Sequence, residues 1–116
     1  MSKARSTVAV QLRESAPVFA ALGDPTRLQV VARLCAYGPQ SITRLSADMD
    51  MTRQAVTKHL VALAAAGLAQ PRREGREQIW ELETRRLEMA RRCLDRISDQ
   101  WDVALRHLKA FVETDD

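Results

Sequence analysis

At 116 residues, with 46% hydrophobic and 28% charged side chains, the chain can bury one modest core and is globular rather than disordered. Two cysteines, with no CxxC or Cys/His run, exclude a secreted disulfide scaffold and a structural zinc site. The net charge of +3 does not by itself point to nucleic acid, but the basic residues concentrate between Arg53 and Arg92, and distribution is the stronger signal.

In chain order, residues 1–14 are mixed and polar and are expected to form a flexible arm ahead of a single domain over residues 15–116. A first helix is predicted from about Ser15 to Leu22, with Ser15 as N-cap, Pro17 in the first turn, and Val18, Phe19 and Leu22 on its apolar face. Asp24-Pro25 opens a second helix, since aspartate accepts from an orphan amide and proline fits the first helical position. Leu28, Val31, Leu34 and Cys35 are expected on its inner side, and Gly38-Pro39 ends it.

Ser41 caps a third helix with Ile42, Leu45 and Met49 facing inward. Thr52 caps a fourth, in which Val56, Leu60 and Leu63 recur at helical spacing and Gly67 supplies the stop. Residues 69–73 and 77–82 have strand character and meet at Glu74-Gly75-Arg76, a turn that Gly75 makes possible. From about residue 83 to 113 one long helix carries a seven-residue repeat: Leu87, Leu94, Trp101 and Leu108 at one position, and Ala90, Ile97, Ala104 and Phe111 at the other. Such a seam asks for a partner helix, so Leu87, Leu94, Ile97, Trp101, Leu108 and Phe111 are candidate dimer contacts, with the first helix packing beside them.

The resulting fold class is mainly α: a winged helix-turn-helix with a two-stranded β-hairpin wing and a long C-terminal dimerisation helix. In such a unit the second helix of the pair is built to lie in the major groove of double-stranded DNA. Subtracting its buried positions leaves Thr52, Arg53, Gln54, Thr57 and Lys58 on the exposed N-terminal face. Arginine offers a donor fork to guanine and glutamine pairs with adenine by donating and accepting together; threonine reaches a phosphate or touches a thymine methyl, and lysine adds charge. His59 is read as a hydrogen-bonding group at the helix–helix junction in preference to a phosphate contact. Arg72, Arg73 and Arg76 suit the backbone or the minor groove, while Glu74 and Glu77 are expected to pair with neighbouring arginines.

ALGDPTRLQVVARL, the TRQAVTKHLVALAAAGL helix and the PRREGREQIWEL hairpin together resemble the ArsR family of bacterial winged-helix transcriptional regulators, over roughly Val18 to Leu82. The resemblance implies a cytoplasmic homodimeric repressor on a pseudo-palindromic operator, with Arg53, Gln54, Thr57 and Lys58 at the base- and phosphate-contacting positions. It also implies the metal-free branch. The third helix, SITRLSAD, lacks the Cys-x-Cys pair of metal-sensing members, and on the last helix His107 stands alone near Asp99, Asp102 and Glu113, a poor transition-metal set. The inducers of that branch are mostly undefined.

Some relatives sense oxidants through one cysteine on the second helix and one on the last, where Cys35 and Cys93 stand, although Cys35 falls about one turn late and is expected to be an inert core residue. The alternatives are therefore a thiol-based redox-sensing repressor or a winged-helix protein-interaction module. No Gly-rich phosphate loop, paired carboxylates or nucleophile–base pair is present, so neither an enzyme nor a cofactor is expected. MSKARSTVAVQLRES lacks a signal-peptide apolar run, and no segment approaches the roughly 20 apolar residues of a membrane span. A cytoplasmic location with no membrane partner is expected.

Overall fold

The computed structural model describes residues 3–114, in the order α1 (Lys3–Leu22), α2 (Pro25–Tyr37), β1 (Gln40–Ser41), α3 (Ile42–Met49), α4 (Arg53–Ala65), β2 (Ala69–Glu74), β3 (Glu77–Leu82) and α5 (Thr84–Thr114). Val18, Val30, Leu34, Leu45, Val56, Leu60, Leu63, Leu68 and Trp80 form the buried centre, where helices and sheet meet.

The α1–α2 junction shows why Asp24-Pro25-Thr26-Arg27 stand together. Asp24 is extended, and its Oδ1 accepts from the amides of Thr26 (2.8 Å) and Arg27 (3.1 Å). Arg27 turns back: its Nε donates to the Ala21 carbonyl at 2.7 Å and its Nη1 lies 3.8 Å from Asp24 Oδ2. One carboxylate thus starts α2 while one guanidinium satisfies a carbonyl at the end of α1. Arg27 takes a place on the inner side of α2, which rotates the buried stripe to Val30, Val31 and Leu34. Leu28 is consequently exposed, and so is Cys35, which is not the core residue expected from the sequence.

Helix α1 starts at Lys3, not at Ser15. It packs along α5, and Val8, Gln11, Ser15, Val18 and Leu22 recur at alternating three- and four-residue spacing as its half-buried or buried stripe. Helix stability in proteins comes mostly from such tertiary packing, which here outweighs the local signals around Ser15. Pro17, expected in a first turn, lies inside the helix.

The expected β2–β3 hairpin forms, and β1 adds a third strand to it, so that the sheet is ordered β1-β3-β2 and antiparallel throughout. In β1, Gln40 pairs with Trp80 and Ser41 with Ile79. Two residues are too short to carry a period, so this strand has no sequence signal of its own. Pro71, which lacks an amide donor, sits on the outer strand β2, where a missing donor is tolerated. The hairpin turns through Gly75 and Arg76 between paired Glu74 and Glu77, with positive φ at Gly75 alone, the pattern of a type II′ turn.

Helix α4 ends in a Schellman motif. The Leu68 amide donates to the Leu63 carbonyl at 2.9 Å, the Gly67 amide to Ala64 at 3.0 Å, and Gly67 has φ 77°. Leu68 then plugs the core.

Helix α5 has 31 residues, about 46 Å at 1.5 Å per residue. Ala90 and Cys93 are buried and Leu87 packs on the core of its own domain, but every residue from Leu94 to Thr114 is exposed. The radius of gyration is accordingly 19.2 Å, against about 13 Å for a compact chain of this size.

Gly67→Ala is expected to lower unfolding free energy by at least about 1–2 kcal/mol, because the left-handed backbone disfavours a Cβ and that Cβ would run into the Arg86 side chain; urea denaturation measures it. The Asp24 carboxyl is held below the usual aspartate value, first by the hydrogen bond from the Arg27 amide and further by the Thr26 amide and the Arg27 charge, against some desolvation. Its contribution is therefore present above the unfolded-state value, about 3.9, and is lost as pH falls through the lower folded-state value. Thermal midpoints of Asp24→Asn, which keeps a capping oxygen, should fall less steeply than wild type on acidification below about pH 4.

Candidate nucleic-acid interface

The turn between α3 and α4 is built from Asp50, Met51 and Thr52. Ser41 starts α3 by accepting the Arg44 amide at 3.1 Å. Asp50 stops it in the left-handed region (φ 52°), with the Met51 amide donating to the Ser46 carbonyl at 3.0 Å. Met51 packs against the core, and extended Thr52 restarts the chain as a helix by accepting the Ala55 amide on its Oγ1 at 3.1 Å. A second tie orients α3. Asp48 Oδ2 lies 3.5 Å from Arg33 Nη1 on α2 and 3.3 Å from Arg44 Nε, while Arg33 also faces the Tyr37 ring. The sequence gives no local sign of this Arg33–Asp48 link, because its partners lie on different helices.

Val56, Leu60 and Leu63 are each 0% exposed, so the inner face of α4 is fixed. Thr52, Arg53, Gln54 and Lys58 are exposed as expected, and Thr57 is half-buried. Thr52, Gln54, Ala55, Thr57 and Lys58 line one shallow concavity at the start of the helix. Among the described residues, the side chains of Arg53, Gln54 and Lys58 enter no hydrogen bond or salt bridge within the chain. Helix α4 contains no acidic residue. Its free amides and partial positive charge at the N-terminus are therefore uncompensated within the helix, a setting that favours an anion.

The three wing arginines are not equivalent. Arg72 is held between Glu74 (3.6 Å) and Glu81 (3.7 Å), and Gln70 donates to the same Glu81 carboxylate at 3.2 Å. Arg73, opposite Gln78 in the register, and Arg76, in the turn, are exposed and enter no ion pair among the described residues. Glu77 enters none either, so the expected glutamate pairing holds for Glu74 alone of the two. His59 is half-buried, and its Nδ1 is sealed without a partner, so the expected junction hydrogen bond is not made by that nitrogen.

The candidate dimer contacts divide in two. Leu94, Ile97, Trp101, Leu108 and Phe111 are 42–69% exposed, while Leu87 is half-buried and packs against the core of its own domain. Leu105 and Val112 are exposed as well. They lie four residues after Trp101 and Leu108, so they widen the stripe beyond a two-position seam. Val10 and Leu12 add exposed apolar surface on α1. Cys35 and Cys93 are both free thiols, the first exposed and the second buried where α1 meets α5. Among the described residues, no three His, Cys, Asp or Glu side chains gather to hold a metal ion, and no helix is long and apolar enough to cross a membrane.

Two helices joined by a tight turn, an exposed basic helix tip and a basic hairpin define a winged helix-turn-helix protein. Residues 22–71 match the model of a helix-turn-helix domain family. The chain is 34% identical to the HTH-type transcriptional regulator Rv2034 of Mycobacterium tuberculosis, over 82% of its own length and 85% of the relative's. It superposes on an ArsR-like transcriptional regulator from Rhodococcus sp. RHA1 with a TM-score of 0.73 and 37% identity, covering 86% of this chain and 93% of that one. The fold also matches, at a TM-score of 0.57 and 24% identity over 92% and 93% of the two chains, the winged helix-turn-helix DNA-binding domain of Mb0332 from Mycobacterium bovis, described as homodimeric. The chain belongs to the ArsR family of winged helix-turn-helix transcriptional regulators.

Proposed function

We propose that this regulator is a sequence-specific repressor that binds a pseudo-palindromic operator as a homodimer in the cytoplasm, and that it belongs to the metal-free branch of its family. The observation that carries the reading is the state of the α4 tip. Among the described residues, the side chains of Arg53, Gln54 and Lys58 are exposed and unpaired, and they stand on a helix whose other face is locked in the core. Holding a guanidinium, an amide and an ammonium free costs the fold nothing in lost partners, and these groups read guanine, adenine and phosphate. Arg73 and Arg76 supply a second, sequence-independent contact to the backbone.

The homodimer reading rests on the uncovered stripe of α5. Leu94, Ile97, Trp101, Leu105, Leu108, Phe111 and Val112 are too many large apolar side chains on one helix to leave in water. Their spacing suits a second helix of the same kind. The homodimeric description of the Mb0332 domain supports it. A two-fold dimer sets two α4 tips about one turn of DNA apart, near 34 Å, in successive major grooves. An inducer would act by favouring a dimer whose tips are misaligned.

Binding of the purified protein to duplexes it retains from its own genome tests the reading, with a steep loss of affinity as salt rises because phosphate neutralisation releases counterions. Arg53→Ala or Gln54→Ala should each cost about 1–3 kcal/mol on the preferred duplex and little on unrelated DNA. Arg73→Ala should weaken all duplexes alike and reduce the salt slope by about 1, whereas Arg72→Ala, whose guanidinium is already paired, should change the slope less. Trp101→Glu should convert a two-chain particle into a one-chain particle in light scattering. A wild-type particle of one chain at micromolar concentration would contradict the dimer.

A further inference from the structure

The two threonines at the tip of α4 differ in which part of the hydroxyl group is in use. Thr52 Oγ1 accepts from the Ala55 amide at 3.1 Å, which occupies a lone pair and leaves its proton free to donate. Thr57 Oγ1 donates to the Arg53 carbonyl at 2.7 Å, one turn back, so its only proton is already committed. This back-bond also holds the side chain in one rotamer. With its proton held at 2.7 Å by a backbone carbonyl, the hydroxyl has only acceptor capacity left, and the γ-methyl is the other group that Thr57 can offer a base. Thr57 lines the shallow concavity together with Gln54 and Lys58. Gln54 stands three residues earlier, on the same helix face.

Building on the DNA-reading function proposed above, we infer that Thr57 is a specificity-determining residue that reads thymine through its methyl group, while Thr52 donates its hydroxyl proton to a phosphate. In the major groove thymine differs from cytosine by a carbonyl in place of an amino group and by a C5-methyl. A side chain with no free donor cannot read that carbonyl, but a fixed methyl can bury the C5-methyl. Gln54 beside it pairs with adenine by accepting and donating together. The two side chains therefore favour adenine and thymine at neighbouring positions of each half-site.

The test replaces thymines one at a time by deoxyuridine, which lacks only the C5-methyl, in a duplex that the protein selects from a randomised pool. Wild type should lose about fourfold in affinity at one position of each half-site, the worth of one buried methyl. Thr57→Val keeps methyl groups and gives up the hydroxyl; it should show the same loss of about fourfold on thymine-to-deoxyuridine replacement at that position. Thr57→Ser keeps the hydroxyl and gives up the methyl; it should bind the thymine and deoxyuridine duplexes equally. Far-UV circular dichroism verifies that both variants are folded. The inference is overturned if the serine variant still loses fourfold at that position, if a folded valine variant binds the thymine and deoxyuridine duplexes equally, or if wild type selects a duplex yet has no uracil-sensitive position. A wild-type protein that selects no duplex at all overturns the DNA-reading function, and this assignment with it.

Discussion

The burial of one face of α4 governs the rest of the molecule. Val56, Leu60 and Leu63 are wholly enclosed, and each such side chain contributes about 1.5–3 kcal/mol over leaving it in water. Rotating α4 to hide Arg53, Gln54 or Lys58 would expose those three residues and strand unpaired polar groups inside, so the polar tip has one direction to face. The Asp50 stop, the Thr52 restart and the Schellman motif at Gly67 fix where the helix begins and ends along that direction. The Asp48 carboxylate, shared by Arg33 and Arg44, joins α2 to α3 and so backs the helix pair from behind.

The same chain keeps two kinds of surface out of its own core. One is cationic and, among the described residues, unpaired, at the α4 tip and at Arg73 and Arg76. The other is apolar and uncovered, along α5 beyond Cys93. A polyanion suits the first and a second copy suits the second. The proposed dimer couples them, because pairing through a helix about 46 Å long sets the separation of the two reading tips. The wing is graded in the same way: Arg72 is engaged through Glu74 and Glu81, whereas Arg73 and Arg76 enter no ion pair among the described residues.

Much of this was legible in the sequence where the physical cause is local. Asp24-Pro25, Ser41, Thr52 and Gly67 each act on backbone within a few residues, and the α4 stripe at 56, 60 and 63 follows helical period, so the bounds of α4, its buried face and the exposure of Thr52, Arg53, Gln54 and Lys58 could be written down directly. Features whose cause lies elsewhere in the chain were not legible. The extension of α1 back to Lys3 needs the surface of α5. The β1 strand exists only as an addition to Trp80 and Ile79 of β3. Leu28 and Cys35 turned outward because Arg27 occupies the inner side of α2 to reach Ala21. Leu87 fits the heptad arithmetic but lies where α5 still crosses its own core. The unequal wing arginines depend on Glu81 of the neighbouring strand.

Dimethyl sulfate footprinting tests the central claim most directly, because methylation of guanine N7 reports the major groove at the atom an arginine fork would cover. With wild-type protein on a selected duplex, the account predicts two protected tracts centred about 10 base pairs apart, both lost with Arg53→Ala. A single tract, or protection that is the same with and without the Arg53 side chain, would contradict it.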